Sequence, residues 1–262
     1  MMNFETITLE TDGQGVCSLT LDRPEKHNAM SGQMIEELTL AAGQLGNDPD
    51  VRVVVLTGSG ESFCAGGDLG WMQQQMKADR ETRFVEARKL ALMLQAFNTL
   101  PKPVIGRVHG NAFGGGLGLI SICDVAIGSD QIRLGLTEVR LGIIPATIGP
   151  YVIARMGEAR ARRVFFSGRV FGASEAVDLG LLARCVPSED LDGAIAAEVK
   201  PYLSAAPGAV AAAKALTRAL GPTIDDAVID ATINALVERW ETKETADGIA
   251  AFFAKEKAPW MN

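Results

Sequence analysis

The chain has 262 residues, 47% of them hydrophobic, with a net charge of −7 and a pI near 5.0. That length can bury a substantial core, and the acidic balance argues against a general nucleic-acid binder. No stretch approaches the roughly 18 apolar residues that cross a bilayer, and the start, Met1-Met2-Asn3-Phe4-Glu5, shows no basic region followed by an apolar run, so no secretory signal is expected. Cys17, Cys64, Cys123 and Cys185 form no C-x-x-C pair and only His27 and His109 add imidazole, so no metal site and a reduced, cytoplasmic protein are expected.

In chain order, Ile7 to Leu9 and Val16 to Leu21 read as strands around the turn Asp12-Gly13-Gln14-Gly15. Ser31 is the N-cap of a helix carrying Met34, Ile35, Leu38, Ala41, Ala42 and Leu45 at helical spacing. Val51 to Thr57 is a continuous apolar run, as in a strand covered on both faces. A long helical pattern from Glu81 to Leu100 stops before Pro101 and Pro103. Val104 to Val108 is a short buried strand, Gly115 to Ile122 opens a helix, and Asp124 to Ile127 returns as a strand. This alternation predicts α/β architecture with crossover connections. Beyond Val186 the patterns 191–206, 209–219, 224–242 and 245–257 are all helical, and no strand candidate remains. Residues 1–190 therefore read as the core and 191–262 as a helical region. Its alanine-rich helices, such as Ala209-Val210-Ala211-Ala212-Ala213, would leave apolar faces exposed on a lone monomer, which favours an oligomer.

Two glycine-centred turns carry the chemistry: Phe63-Cys64-Ala65-Gly66-Gly67-Asp68-Leu69 and His109-Gly110-Asn111-Ala112-Phe113-Gly114-Gly115-Gly116-Leu117-Gly118. Each is predicted to follow a strand and enter a helix. Together they can aim two backbone N–H groups at one oxygen, which is how an oxyanion is stabilised without a side chain. The other reading of the first is an ordinary tight turn, with Asp68 capping the next helix and Cys64 packing in the core rather than acting as a nucleophile. The second turn reads as an anion-binding helix start, as helix packing against a strand, or as a degraded dinucleotide fingerprint, Gly116-x-Gly118-x-x-Ser121, whose third glycine is missing. Glu138 lies in the apolar stretch Leu134-Gly135-Leu136-Thr137-Glu138-Val139-Arg140-Leu141-Gly142. Burial would raise its pKa into the range of a general acid or base. The competing readings are a salt bridge with Arg140 or a charge at a helix N-terminus.

Taken in order, Leu21-Asp22-Arg23-Pro24-Glu25-Lys26-His27-Asn28-Ala29-Met30, both glycine turns, Cys123-Asp124, Thr137-Glu138, Gly142-Ile143-Ile144-Pro145 and the segments Ser167-Gly168 and 173–181 resemble the crotonase superfamily, the enoyl-CoA hydratases and isomerases. The resemblance runs across almost the whole chain. It implies a ββα spiral with a C-terminal helical oligomerisation region, usually a homotrimer or a dimer of trimers. It also implies acyl-CoA thioester substrates, with no cofactor beyond the CoA of the substrate and no nucleic-acid or membrane partner. The backbone N–H groups of Gly67 and Gly115 map onto the family's oxyanion hole, with Glu138 as the general acid/base. The thioester would thread past Lys26, His27, Ala29, Ala65, Asp68, Leu69, Trp71 and Gly114. Phe252 and Lys255 resemble tail residues that reach the adenosine phosphate end, often from a neighbouring subunit.

One departure matters. Typical hydratases carry a second glutamate where this chain has Gly118. A single glutamate suits a Δ3–Δ2 enoyl-CoA isomerase as well as a hydratase that holds its water by other means. A catalytically silent acyl-CoA binder is a third possibility. Asp68-Leu69-Gly70-Trp71-Met72 and Pro145-Ala146-Thr147-Ile148 look like bacterial methylglutaconyl-CoA-type hydratases of branched-chain catabolism. In that case Arg140 or another pocket residue would pair with a distal carboxylate; a structural salt bridge is the other reading of Arg140.

Overall fold

A computed structural model describes residues 4–261. The strands are β1 (Ile7–Thr11), β2 (Val16–Leu21), β3 (Val53–Gly58), β4 (Ser62–Cys64), β5 (Val104–Val108), β6 (Asn111–Phe113), β7 (Val125–Ser129), β8 (Arg133–Gly135), β9 (Val170–Gly172) and β10 (Arg184–Val186). Among them run helices α1 (Gly32–Asn47), α2 (Leu69–Lys77), α3 (Arg80–Asn98), α4 (Gly115–Ile122), α5 (Gly149–Met156), α6 (Glu158–Phe165) and α7 (Ala173–Asp178). Helices α8 (Leu191–Leu203), α9 (Pro207–Leu220), α10 (Asp226–Trp240) and α11 (Lys243–Ala254) follow. Ser31 caps α1 by accepting from the Met34 N–H, as the sequence predicts.

The strands form two sheets. The larger runs β1-β2-β3-β5-β7-β10 and is parallel except for the β1/β2 hairpin. The apolar run of β3 is buried on both faces. Val54 and Leu56 enter the main core, while Val53 and Val55 meet Leu191, Ile195 and Val199 of α8. The smaller sheet runs β4-β6-β8-β9, its first three strands parallel. Each of its strands has three residues, too short to show a period of two. The sequence-based expectation therefore carried the chain from Thr57 straight into the first glycine turn, where the structure inserts β4.

The register of this small sheet positions the site. Cys64 pairs with Ala112, and Ala112 and Phe113 pair with Leu134 and Gly135. Parallel neighbours end at the same edge, so three strand-to-helix turns emerge side by side: Gly66-Gly67, Gly114-Gly115 and Thr137-Glu138. The Gly114 N–H donates to the Gly135 carbonyl at 2.9 Å, which locks the second turn to the third.

Helix α9 is attached to the core by a charge. Its one buried residue is Lys214, whose ammonium lies 2.7 Å from the Asp124 carboxylate and donates to the Lys102 carbonyl at 3.0 Å. Burial lowers the Lys214 pKa, with Asp124 opposing that shift. Asp124 also accepts from the Val104 N–H at 2.8 Å, joining β5 to the helix. Removing one partner leaves the other charge buried and unpaired. Asp124→Ala is therefore expected to cost on the order of 3 kcal/mol in denaturant unfolding. A change within experimental error would show that the pair does not anchor α9.

Candidate active site

The first glycine turn is held against the loop before α1. The Met30 N–H donates to the Gly66 carbonyl at 2.8 Å and the Asp68 N–H to the Met30 carbonyl at 3.0 Å. Backbone groups alternate along an extended chain, so the intervening Gly67 N–H points the opposite way. Gly67 lines a cavity of about 590 Å³ on that side. Gly66 and Gly114 adopt φ of +98° and +49°, a region that favours glycine. Gly115 is the first residue of α4, where the helix supplies its N–H no intrahelical acceptor. Among the described residues, neither the Gly67 nor the Gly115 N–H has a protein acceptor. Close packing joins the two turns: a Cβ on Gly116 would lie 2.5 Å from the Cys64 carbonyl oxygen.

Glu138 opens a short 3-10 turn, Glu138–Leu141, after β8. Its Oε1 abuts Gly114, 3.1 Å from where a Cβ would sit. Its Oε2 is sealed from solvent with no hydrogen-bond partner among the described residues. The residue as a whole is only partly buried, but its carboxyl is enclosed by apolar walls. That burial pushes its pKa up to about 7, against slight stabilisation from its own backbone N–H. The Glu138–Arg140 salt bridge considered from sequence does not form, and Arg140 makes no ion pair among the described residues.

Of the residues singled out by sequence, Gly67, Gly115, Glu138, Ala65, Leu69, Trp71, Gly114 and Phe252 line the one cavity. Phe252 does so within its own chain. Lys26, His27, Ala29, Asp68 and Lys255 are not on its wall. Lys26 and His27 are exposed on the loop before α1, and Ala29 is buried. Asp68 caps α2, accepting from the Gly70 and Trp71 N–H groups at 2.8 and 3.2 Å, and pairs with Arg23 at 3.1 Å. Burial alone would raise its pKa; these donors outweigh burial and lower it. Lys255 caps the C-terminus of α11 and is exposed. Burial pushes the Cys64 thiol up to about 12, in keeping with core packing rather than nucleophilic attack.

The cavity has a wet and a dry end. Of its wall, Leu69, Arg140, Phe252 and Glu256 are exposed, whereas Met72, Ile148, Leu236 and Trp240 are buried. Leu236 and Trp240 are four residues apart on α10, so one helix face closes the pocket. That spacing was readable in the sequence, but nothing there said which cavity the face would meet.

A model of the enoyl-CoA hydratase/isomerase family matches residues 11–262. A probable enoyl-CoA hydratase of Mycobacterium tuberculosis is 35% identical, over 98% of each chain. A short-chain-enoyl-CoA hydratase of Clostridium acetobutylicum is 32% identical, over 98% of this chain and 97% of its own. The crystal structure of an enoyl-CoA hydratase from Shewanella pealeana superposes with a TM-score of 0.80 at 34% identity, covering 98% of this chain and 96% of that one. The chain belongs to the enoyl-CoA hydratase/isomerase family.

Within this family member, Gly118 is more than the absence of a side chain. A Cβ there would lie 2.6 Å from Ile148 Cγ2 and 3.4 Å from Leu94 Cδ1. Apolar atoms fill the space a second carboxylate would need. Glu138 is thus the one buried carboxylate on the cavity wall among the described residues.

The raised pKa of Glu138 has a consequence for stability. A carboxyl whose folded pKa lies above its unfolded value is destabilising once ionised, so stability falls as pH rises from about 4.5 through about 7. Glu138→Gln is therefore expected to be more stable than the parent at pH 8, by on the order of 3 kcal/mol at most, with the gap closing below pH ~4.5. Thermal melts across pH check this; an unchanging gap would show that Glu138 titrates normally.

Proposed function

We propose that the protein hydrates a 2-enoyl-CoA thioester at this cavity. The observation that carries the reading is the convergence of two unpartnered backbone N–H groups and one buried carboxylate of raised pKa on a single pocket. The names of the relatives support the same class of reaction.

In this reading the thioester carbonyl oxygen lies between the Gly67 and Gly115 N–H groups. Ionised Glu138 takes a proton from water as the water oxygen bonds to C3. The C2–C3 π electrons move onto the thioester, forming an enolate whose oxygen the two N–H groups hold. Protonated Glu138 then delivers that proton to C2, and the carbonyl re-forms. One carboxylate closes the proton balance, because the proton it removes is the one it returns. The acyl chain occupies the dry end against Met72, Ile148, Leu236 and Trp240, while the CoA leaves near Leu69 and Phe252.

The acyl group is proposed to be branched or of the glutaconyl type. The apolar dry end suits a branched hydrocarbon, and Arg140, a cation on the cavity wall without an ion pair, suits a free carboxylate. Exposed Phe166, Leu216 and Leu220 support self-association; the proposed assembly is a homotrimer or a dimer of trimers.

The packing of Ile148 over Gly118 favours a second reading, Δ3–Δ2 isomerisation. Glu138 would take a proton from C2 of a 3-enoyl thioester and return it at C4, with no water held at all. A panel of crotonyl-CoA, 3-methylglutaconyl-CoA and a 3-enoyl-CoA, with products identified, separates the two. Hydration predicts 3-hydroxyacyl products from 2-enoyl thioesters; conversion of the 3-enoyl thioester alone would favour isomerisation. Glu138→Gln is expected to lower kcat by about 10²- to 10⁴-fold, and undiminished turnover would remove Glu138 from the reaction. Because the base must be ionised first, kcat/KM for hydration should rise with pH through about 7. Arg140→Leu should raise KM for 3-methylglutaconyl-CoA and leave crotonyl-CoA unaffected; equal effects on both would set aside the carboxylate role.

A further inference from the structure

The tail of the chain grips the back of the turn that carries Glu138. That turn ends at Gly142, whose φ is +80° and whose N–H donates to the Val139 carbonyl at 3.2 Å. The Gly142 carbonyl accepts three hydrogen bonds from the tail. Arg239 Nε and Nη2, at the end of α10, donate at 3.0 and 2.9 Å, and Thr245 Oγ1, in the first turn of α11, donates at 2.9 Å. Thr245 is fully buried, and Arg239 is in turn paired with Glu244.

The two backbones are also in direct contact. A Cβ on Gly142 would lie 2.8 Å from the Glu244 carbonyl and the Thr245 nitrogen. A Cβ on Gly248 would lie 2.7 Å from the Leu141 carbonyl oxygen. Neither surface can shift without the other. Nothing comparable restrains the carboxyl itself, since Oε2 of Glu138 has no partner among the described residues. Its position is set by the turn beneath it.

We propose that Arg239 and Thr245 are positioning residues for Glu138: by clamping the Gly142 carbonyl they hold the 3-10 turn, and with it the carboxylate, against Gly114 and the two N–H groups. Neither residue lines the main cavity beside Glu138, so neither touches the reacting atoms. The helical tail is then part of the active-site geometry, through its α10–α11 corner. The inference rests on Glu138 being the group that handles the proton.

Loosening the clamp lets the turn move and solvent reach the carboxyl. The charged groups around it are Arg140 on the turn, Glu256 on the cavity wall, and Arg239 with Glu244 behind. Thr245→Val removes the hydroxyl, with its bond to the Gly142 carbonyl and the one it accepts from Thr242 Oγ1, with little change in volume, and leaves all four charges in place. The test titrates the Glu138 carboxyl by infrared difference spectroscopy against Glu138→Gln, in the parent and in Thr245→Val, and measures kcat and KM for a 2-enoyl thioester in both. The expected result is a midpoint lowered from about 7 toward the ordinary carboxyl range. It is accompanied by a fall in kcat on the order of tenfold with KM little changed. Thr245→Ser, which keeps the hydroxyl, should restore both. A lower melting temperature with midpoint and kcat unchanged would overturn the proposal, leaving a purely structural contact. Should Thr245→Val fail to fold, Arg239→Lys, which keeps the charge but loses the paired Nε and Nη2 bonds to the Gly142 carbonyl, serves the same comparison. The spectroscopic midpoint does not require turnover. A parent enzyme that is inactive on every thioester, with a midpoint that still shifts in Thr245→Val, would therefore refute the proposed reaction and keep the clamp.

Discussion

The parallel pairing of three short strands is the constraint on which the rest of the site depends. β4, β6 and β8 each contribute only three residues, yet their shared direction makes three turns leave the sheet at one edge. Antiparallel pairing of any two would put one turn at the opposite end, roughly 10 Å away for a three-residue strand. Two of those turns supply unpartnered N–H groups and the third supplies a carboxylate. Helices α2, α10 and α11 wall that edge with apolar side chains such as Met72, Leu236 and Trp240, and burial of the Glu138 carboxyl among such walls raises its pKa. One arrangement thus produces both halves of the proposed chemistry.

The site is asymmetric. Where the resemblance leads one to expect a second glutamate, this chain packs Ile148 and Leu94 over Gly118. A lone carboxylate titrating near neutrality is well suited to taking a proton and giving it back, because both forms are populated at working pH. Two carboxylates at close range would instead push their pKa values apart. In the proposed reaction two backbone N–H groups stabilise the thioester enolate and one carboxylate handles the proton. The α10–α11 corner behind Gly142 bears on that carboxylate: with no partner to orient Glu138 from the cavity side, restraint from behind carries more of the burden.

Much of this was legible in the sequence, for identifiable reasons. The β3 run and the α1 spacing are long enough to show their periods, and glycine clusters mark turns whatever their tertiary context. Those turns pointed to a pair of backbone N–H groups aimed at one oxygen, and the resemblance assigned the pair to Gly67 and Gly115 and the oxygen to a thioester carbonyl. The small sheet was not legible, because three residues cannot display alternation. The same limit hid the register that brings Glu138 beside Gly114. Asp68 read from its own position as a helix cap and from the resemblance as a substrate contact; its two backbone donors and Arg23 show what it holds in place. Lys214 stood in an alanine-rich helix with nothing to suggest that it would be that helix's one buried residue, because its partner, Asp124, lies 90 positions earlier. Leu236 and Trp240 marked a helix face without naming the pocket it closes.

The most direct measurement is a crystal structure with a non-hydratable acyl-CoA thioester bound. The thioester oxygen should lie about 2.7–3.1 Å from both the Gly67 and Gly115 nitrogens, with Glu138 Oε1 beside C2 and C3 and the acyl chain against Trp240. A thioester oxygen bound away from either nitrogen, or an acyl chain lying outside the cavity with Glu138 facing no reacting carbon, would contradict the proposed site.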